Sequence, residues 1–164
     1  MPVDSIEKLL IEELKDLHSA ETQITKALPK LIKASSSPDL KKAFELHLKE
    51  TEGQIDRLDK AFEILGKKAT SKPCGGMKGI LSEGSEMLSE MEMGDVRDAA
   101  LISAAQRVEH YEMAAYGAVC AYAQEIDRSE IADLLQETLA EEKAADEKLT
   151  QISKKVNSAA RQAA

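Results

Sequence analysis

The stretch VRDAALISAAQRVEHYEMAAYG, Val96 to Gly117, decides how this chain folds. Ile102, Ala105, Val108, Ala115 and, just beyond the stretch, Val119 recur at helical spacing and form one apolar stripe. The stripe is interrupted at its centre. Glu112 lies four residues after Val108 and three before Ala115, where an apolar side chain belongs, and Glu109 lies one turn earlier. With Asp95 placed to cap it, the pattern predicts a helix through about Gln124 that presents carboxylates to a core.

The flanking segments repeat the design. Ile6, Leu10, Leu14, Leu17, Ile24, Leu28 and Leu31 predict a first helix from about Ser5 to Ala34. Asp4 and Glu7 form a capping-box-like start, and Pro29 is expected to kink the helix. After Ser35, Ser36 and Ser37, Pro38 opens a second helix carrying Leu40, Phe44, Leu48, Ile55, Leu58 and Phe62, which stops at Gly66. A connection from Gly66 to Gly79 leads to a shorter helix over about Ile80 to Met93, anchored by Met77, Met87, Met91 and Met93. Asp127 with Glu130 caps the last helix, whose stripe is Ile131, Leu135, Leu149, Ile152 and Val156. No strand pattern competes. The fold class is therefore all-α: two helical hairpins forming a four-helix bundle, with an additional short helix in the long crossover. The bundle is expected over residues 1–158, with a disordered tail over 159–164.

The other long helices also carry polar residues where apolar ones belong. Glu21 lies four residues after Leu17 and three before Ile24; Glu142 lies midway between Leu135 and Leu149. On the second helix His47, Glu50 and Gln54 share a face, and Asp146 follows Glu142 by one turn. Each long helix thus offers a Glu near its midpoint: Glu21, Glu50, Glu112 and Glu142. Four buried carboxylates at one level repel one another and lose hydration unless something balances their charge. Two divalent cations do so by simple count, and an oxygen-rich ligand set suits iron, manganese or magnesium, with iron or manganese the favoured pair. His18-x-x-Glu21 echoes Glu109-x-x-Glu112, and Glu50-x-x-x-Gln54 echoes Glu142-x-x-x-Asp146, as two hairpins related by a pseudo-twofold would require. The candidate metal residues are Glu21, Glu50, Glu109, Glu112, Glu142, His47, Gln54 and Asp146. His18 is expected to be exposed, His110 to be structural, and Tyr111, Tyr116 and Tyr122 to be packing residues.

Composition narrows the function classes. The 164 residues carry a formal charge of −8, which disfavours a protein that tracks nucleic-acid phosphates. No apolar run is long enough for a membrane span, and Asp4 and Glu7 precede any hydrophobic stretch, unlike a signal peptide. Cys74 and Cys120 lack metal or redox spacing, so the expected compartment is the reducing cytoplasm. Cys120 reads as a packing residue, and Cys74, before Gly75 and Gly76, as an exposed one.

The stretches SAETQITKALPKL, HLKETEGQIDRLD, VRDAALISAAQRVEHYEMAAYG, LLQETLAEEKAADEKLT and CGGMKGILSEG resemble the YciF/YciE family of bacterial stress-response proteins. That group is ferritin-like and distantly similar to rubrerythrin and manganese catalase. The resemblance implies a ferritin-like bundle, a homodimer and a di-metal site. In the ferritin-like pattern Glu21 and Glu112 match the lone ligands, and Glu50 and Glu142 the first members of Glu-x-x-His pairs. The histidines would then fall at Gly53 and Ala145, which cannot ligate. The expected function is a stress-response di-metal carboxylate protein reacting with dioxygen or peroxide, as a ferroxidase- or peroxidase-like oxidoreductase. The alternative is a non-catalytic helical stress or interaction protein with an incidental or structural metal.

Overall fold

Ser5 accepts a hydrogen bond from the Lys8 amide, and from that cap α1 runs over Ile6–Ala34. This is the computed structural model of the chain, and it describes residues 2–162. The cap is Ser5 rather than Asp4, whose carboxylate instead reaches the Lys8 ammonium at 2.6 Å. The helix continues through Pro29 to Ala34; Pro29 is exposed, so water can reach the backbone group it leaves unpaired. Ser37 caps α2 (Pro38–Ile64), with Pro38 in its first turn. Gly66, at φ +66°, ends α2 in the left-handed conformation that glycine adopts without strain, and the Lys67 amide reaches back to the Phe62 carbonyl.

The crossover helix α3 (Gly75–Ser89) starts five residues before the Ile80 expected from the glycines. Tertiary contacts outweigh the low helix propensity of Gly75 and Gly76. The Cys74 thiol accepts from the Met77 amide, and the Cys74 backbone is held by Ser19 Oγ and the Gln23 amide. A Cβ on Gly76 would lie 2.7 Å from the Tyr111 ring, so glycine lets the two elements close. The Tyr111 hydroxyl donates to Asp16 and sits 3.1 Å from Cys74 Sγ. Cys74 is therefore buried, not exposed. Met77 is fully buried as an anchor, whereas Met93 stands exposed.

Helix α4 spans Asp95–Glu125, its N-cap being Gly94 with Asp95 already helical. Asp127, at φ +56°, turns the chain, and α5 runs over Ser129–Gln162. The helix thus extends into the segment expected to be a tail: Ala159, Ala160, Arg161 and Gln162 contain no breaker. Residues 163 and 164 of that expected tail lie outside the described residues. Among the described residues the chain forms five helices and no strand, the four long ones making the bundle and α3 lying over α1 and α4.

The core comes in two apolar blocks. Leu10, Leu14, Leu17, Leu58, Tyr116 and Leu135 belong to one; Ile24, Leu28, Phe44, Leu101, Val108 and Leu149 belong to the other. Along every long helix the first block changes to the second across a buried polar turn. At the far end of the bundle, Asp98 on α4 is fully buried and accepts from the Ser36 and Ser37 amides at 2.8 and 2.6 Å. It ties the α1–α2 loop to α4 with two charge-assisted bonds. Asp98→Ala is expected to cost about 2–4 kcal/mol of stability, read from urea unfolding. An unchanged midpoint would show that water replaces both bonds without loss.

Candidate metal centre

The polar turns between the two apolar blocks meet. Glu21 from α1, His47 and Gln54 from α2, Glu109 and Glu112 from α4, and Glu142 from α5 are all buried. The reason is rotational: each sits on its helix's core stripe between apolar turns that are themselves fully packed. One ligand-capable atom from each of His47, Glu109, Glu112 and Glu142 lies within 4.8 Å of the other three. Glu21 completes the group, its charge acting on both Glu109 and Glu112. It accepts a short hydrogen bond, 2.5 Å, from the hydroxyl of fully buried Tyr116.

The sequence-derived candidates divide into centre and rim. Glu21, Glu109, Glu112, Glu142 and His47 converge. Gln54 lies beside them, its amide donating to Glu142 at 2.5 Å and to Glu141 at 3.0 Å. Glu50 is half-buried, 3.7 Å from His47 Nδ1, and stands outside the closest group. Asp146 also lies at the rim, accepting from Gln106 and standing 3.3 Å from exposed His110. His18 is half-buried rather than exposed, 3.2 Å from Asp59. Two contributors escaped the sequence reading. Tyr116, one turn after Glu112, carries only the signature of a packing residue; Arg57 holds Glu141 through two guanidinium bonds of 2.8 and 2.6 Å. Arg57, Glu141, Gln54 and Glu142 thereby form a chain from the surface to the centre.

The centre's polar atoms are poorly served by the protein. Glu21 Oε2, Glu109 Oε2, both oxygens of Glu112, Glu142 Oε2 and both ring nitrogens of His47 are enclosed without a hydrogen-bond partner. His47 Nε2 is 3.3 Å from Glu109 but is not aligned for a bond. Buried atoms of this kind cost free energy unless something coordinates them. Burial, then the charge of Glu142, pushes the Glu21 carboxyl up to about 8, against the hydrogen bond from Tyr116. Burial and the neighbouring carboxylates also raise Glu109 and Glu112 well above the usual range. Burial pulls His47 down, but Glu50, Glu142 and Glu21 outweigh it and the net direction is upward. Protons and cations therefore compete for one set of atoms. Four carboxylates and one imidazole are the donors that iron or manganese accepts, so the residues present fit such ions. A cleft of about 460 Å³ between α2 and α5 reaches His47 and Glu109 past Phe44, Ala145 and Leu149.

Comparison with known proteins agrees with this architecture. The family described as "Domain of unknown function (DUF892)" matches residues 5–162. The chain is 46% identical to the protein YciF of Escherichia coli strain K12 over 154 residues, 93% of each chain. The solved structure of the E. coli stress protein YciF superimposes with a TM-score of 0.91 at 44% identity, covering 95% of this chain and 99% of that one. YcfI of Rhodopseudomonas palustris, provisionally described as a structural protein, gives 0.89 at 42% identity, covering 90% and 94%. No helix among the described residues is long and apolar enough to cross a membrane.

Proposed function

This chain belongs to the DUF892 family, and on that premise we propose that it is a stress-response protein of the cytoplasm holding two divalent ions, iron or manganese. The observation that supports the reading is the buried group of Glu21, His47, Glu109, Glu112 and Glu142, in which five carboxylate oxygens and both imidazole nitrogens lack protein partners. Bound metal would supply Lewis acidity and electrons toward dioxygen or peroxide. The protein's own residues do the rest. Four carboxylates match the charge of two divalent ions, His47 adds one nitrogen, and Gln54 orients Glu142. Tyr116 holds Glu21 through its hydroxyl, and the apolar blocks above and below exclude water. The cleft beside His47 leaves a small oxidant a way in. Glu50 and Asp146, at the rim, are placed to assist a ligand or to receive an incoming ion.

The test is anaerobic loading with ferrous iron, metal quantification, then stopped-flow mixing with dioxygen or peroxide. Oxidation, followed by the near-ultraviolet absorption of ferric iron, should exceed that of free ferrous iron and fall to the free rate in Glu21→Ala. Equal rates with and without protein would remove the enzymatic reading. The alternative, a non-catalytic stress or structural protein, draws on the description of the R. palustris relative. It requires that a loaded centre react no faster than free iron. A homodimer completes the proposal, supported by Met93 and Val96, which stand 56% and 55% exposed where α3 joins α4.

A further inference from the structure

Helix α3 leans mainly on α4 and touches α1 more lightly. The gap that results is a cleft of about 500 Å³ between α1, α3 and α4, which shares no lining residue with the one between α2 and α5. Its walls are apolar, with Leu31, Ile80, Leu81 and Val108 among them, and small residues such as Ala27 and Ala104 leave the room. That volume falls in the range of small-molecule sites.

The charges around this cleft run against the rest of the protein. The chain has 30 acidic and 22 basic residues, yet Lys26, Lys30 and Arg97 line the cleft and no carboxylate does. Lys26 and Lys30 stand one turn apart on α1 and are exposed, free to swing over the opening. Arg97 comes from the first turn of α4. Its Nε is enclosed by the protein and donates to nothing. The rest of the guanidinium borders the cleft, and a carboxylate is the partner its fork fits best. Apolar walls with cations along one edge complement a molecule that is an anion at one end and a hydrocarbon at the other.

We propose that this cleft binds a small amphipathic anion, an aliphatic carboxylate of medium length. Its chain lies between α1 and α3, and its carboxylate pairs with Arg97 under Lys26 and Lys30. The inference stands apart from the metal reading, since no centre residue takes part.

The probe is decanoate, titrated calorimetrically into the full chain. Decanol and decyltrimethylammonium serve as the uncharged and oppositely charged controls. Saturable binding of one decanoate per chain is expected, with both controls at least about tenfold weaker. Arg97→Gln should weaken decanoate by about tenfold and leave decanol unchanged. Ala27→Phe should abolish binding by filling the cleft. Should that variant fold poorly, the exposed double replacement Lys26→Glu with Lys30→Glu carries the test, and it too should weaken decanoate. Equal affinity for the three amphiphiles, or decanoate binding unaltered in both charge variants, would overturn the proposal. So would a wild-type dimer that ignores decanoate and dissociates in Ala27→Phe by light scattering, which assigns the cleft to a second copy.

Discussion

Glu142→Ala is expected to lower affinity for ferrous or manganous ion by at least about 100-fold, because losing a groups that merely orients a ligand already costs up to that much. Glu142 is fully buried, belongs to the closest group of ligand-capable atoms, and its charge acts on Glu21, Glu109 and Glu112 alike. The helices should be unaffected. Gln54 loses one acceptor but keeps Glu141 at 3.0 Å, so its amide is not stranded. Without metal the variant should be as stable as the parent or more so, since relief of repulsion offsets the small cavity. With metal the order reverses. The parent gains about 2.7 kcal/mol when free ion is 100 times its Kd, and the variant gains almost nothing at that concentration. Equilibrium dialysis and thermal melts with and without ion read both effects. Full metal content in the variant would place the ions elsewhere in the bundle.

Chelator-treated protein should lose stability as pH rises from about 4.5 to about 8, the reverse of a protein held together by ionised carboxylates. In the unfolded chain Glu21, Glu109 and Glu112 ionise near 4.5, whereas burial holds all three protonated to higher pH in the folded one. Across that window the folded state binds more protons, so Glu21 removes about 1.4 kcal/mol per pH unit, and Glu109 and Glu112 act in the same direction. For Glu21, the rise from 4.5 to about 8 amounts to on the order of 5 kcal/mol once complete. His47 acts in the same sense: its folded value is raised, so what it contributes is present at low pH and lost as pH rises. Glu141 acts oppositely, since Arg57 and Gln54 hold it below 4.5 against burial; its contribution fades only in more acidic solution. Bound metal should flatten or invert the slope, because ions displace the protons and bind more tightly as pH rises. Melts of stripped and loaded protein across this range measure both slopes. A stripped protein that gains stability toward pH 8 would show the carboxylates ionised and otherwise compensated.

The five helices were legible in the sequence because helical order is local: a 3.6-residue period needs no knowledge of what the stripe packs against. The same reasoning found Glu21, Glu112 and Glu142, each an acid at a position where the stripe demands an apolar residue. It failed where distant parts of the chain decide. Gly75 and Gly76 read as loop, but Ser19 and Gln23 hold the preceding Cys74 and Gly76 packs against Tyr111, which sets both glycines in the first turn of α3.

On α2 the sequence determined that His47, Glu50 and Gln54 share one side, but not which of them faces the centre. They are one turn apart, and a small rotation of the helix exchanges their positions. The packing of Phe44 and Leu58 into the two apolar blocks sets that rotation, turning His47 and Gln54 inward and leaving Glu50 at the rim. The link from Arg57 through Glu141 and Gln54 to Glu142 has no sequence signature, because it joins helices 84 to 88 residues apart. Periodicity along the chain determines which residues can enter a core. Only the mutual rotation and register of packed helices decides which of them meet, because those contacts exist through space and not along the sequence.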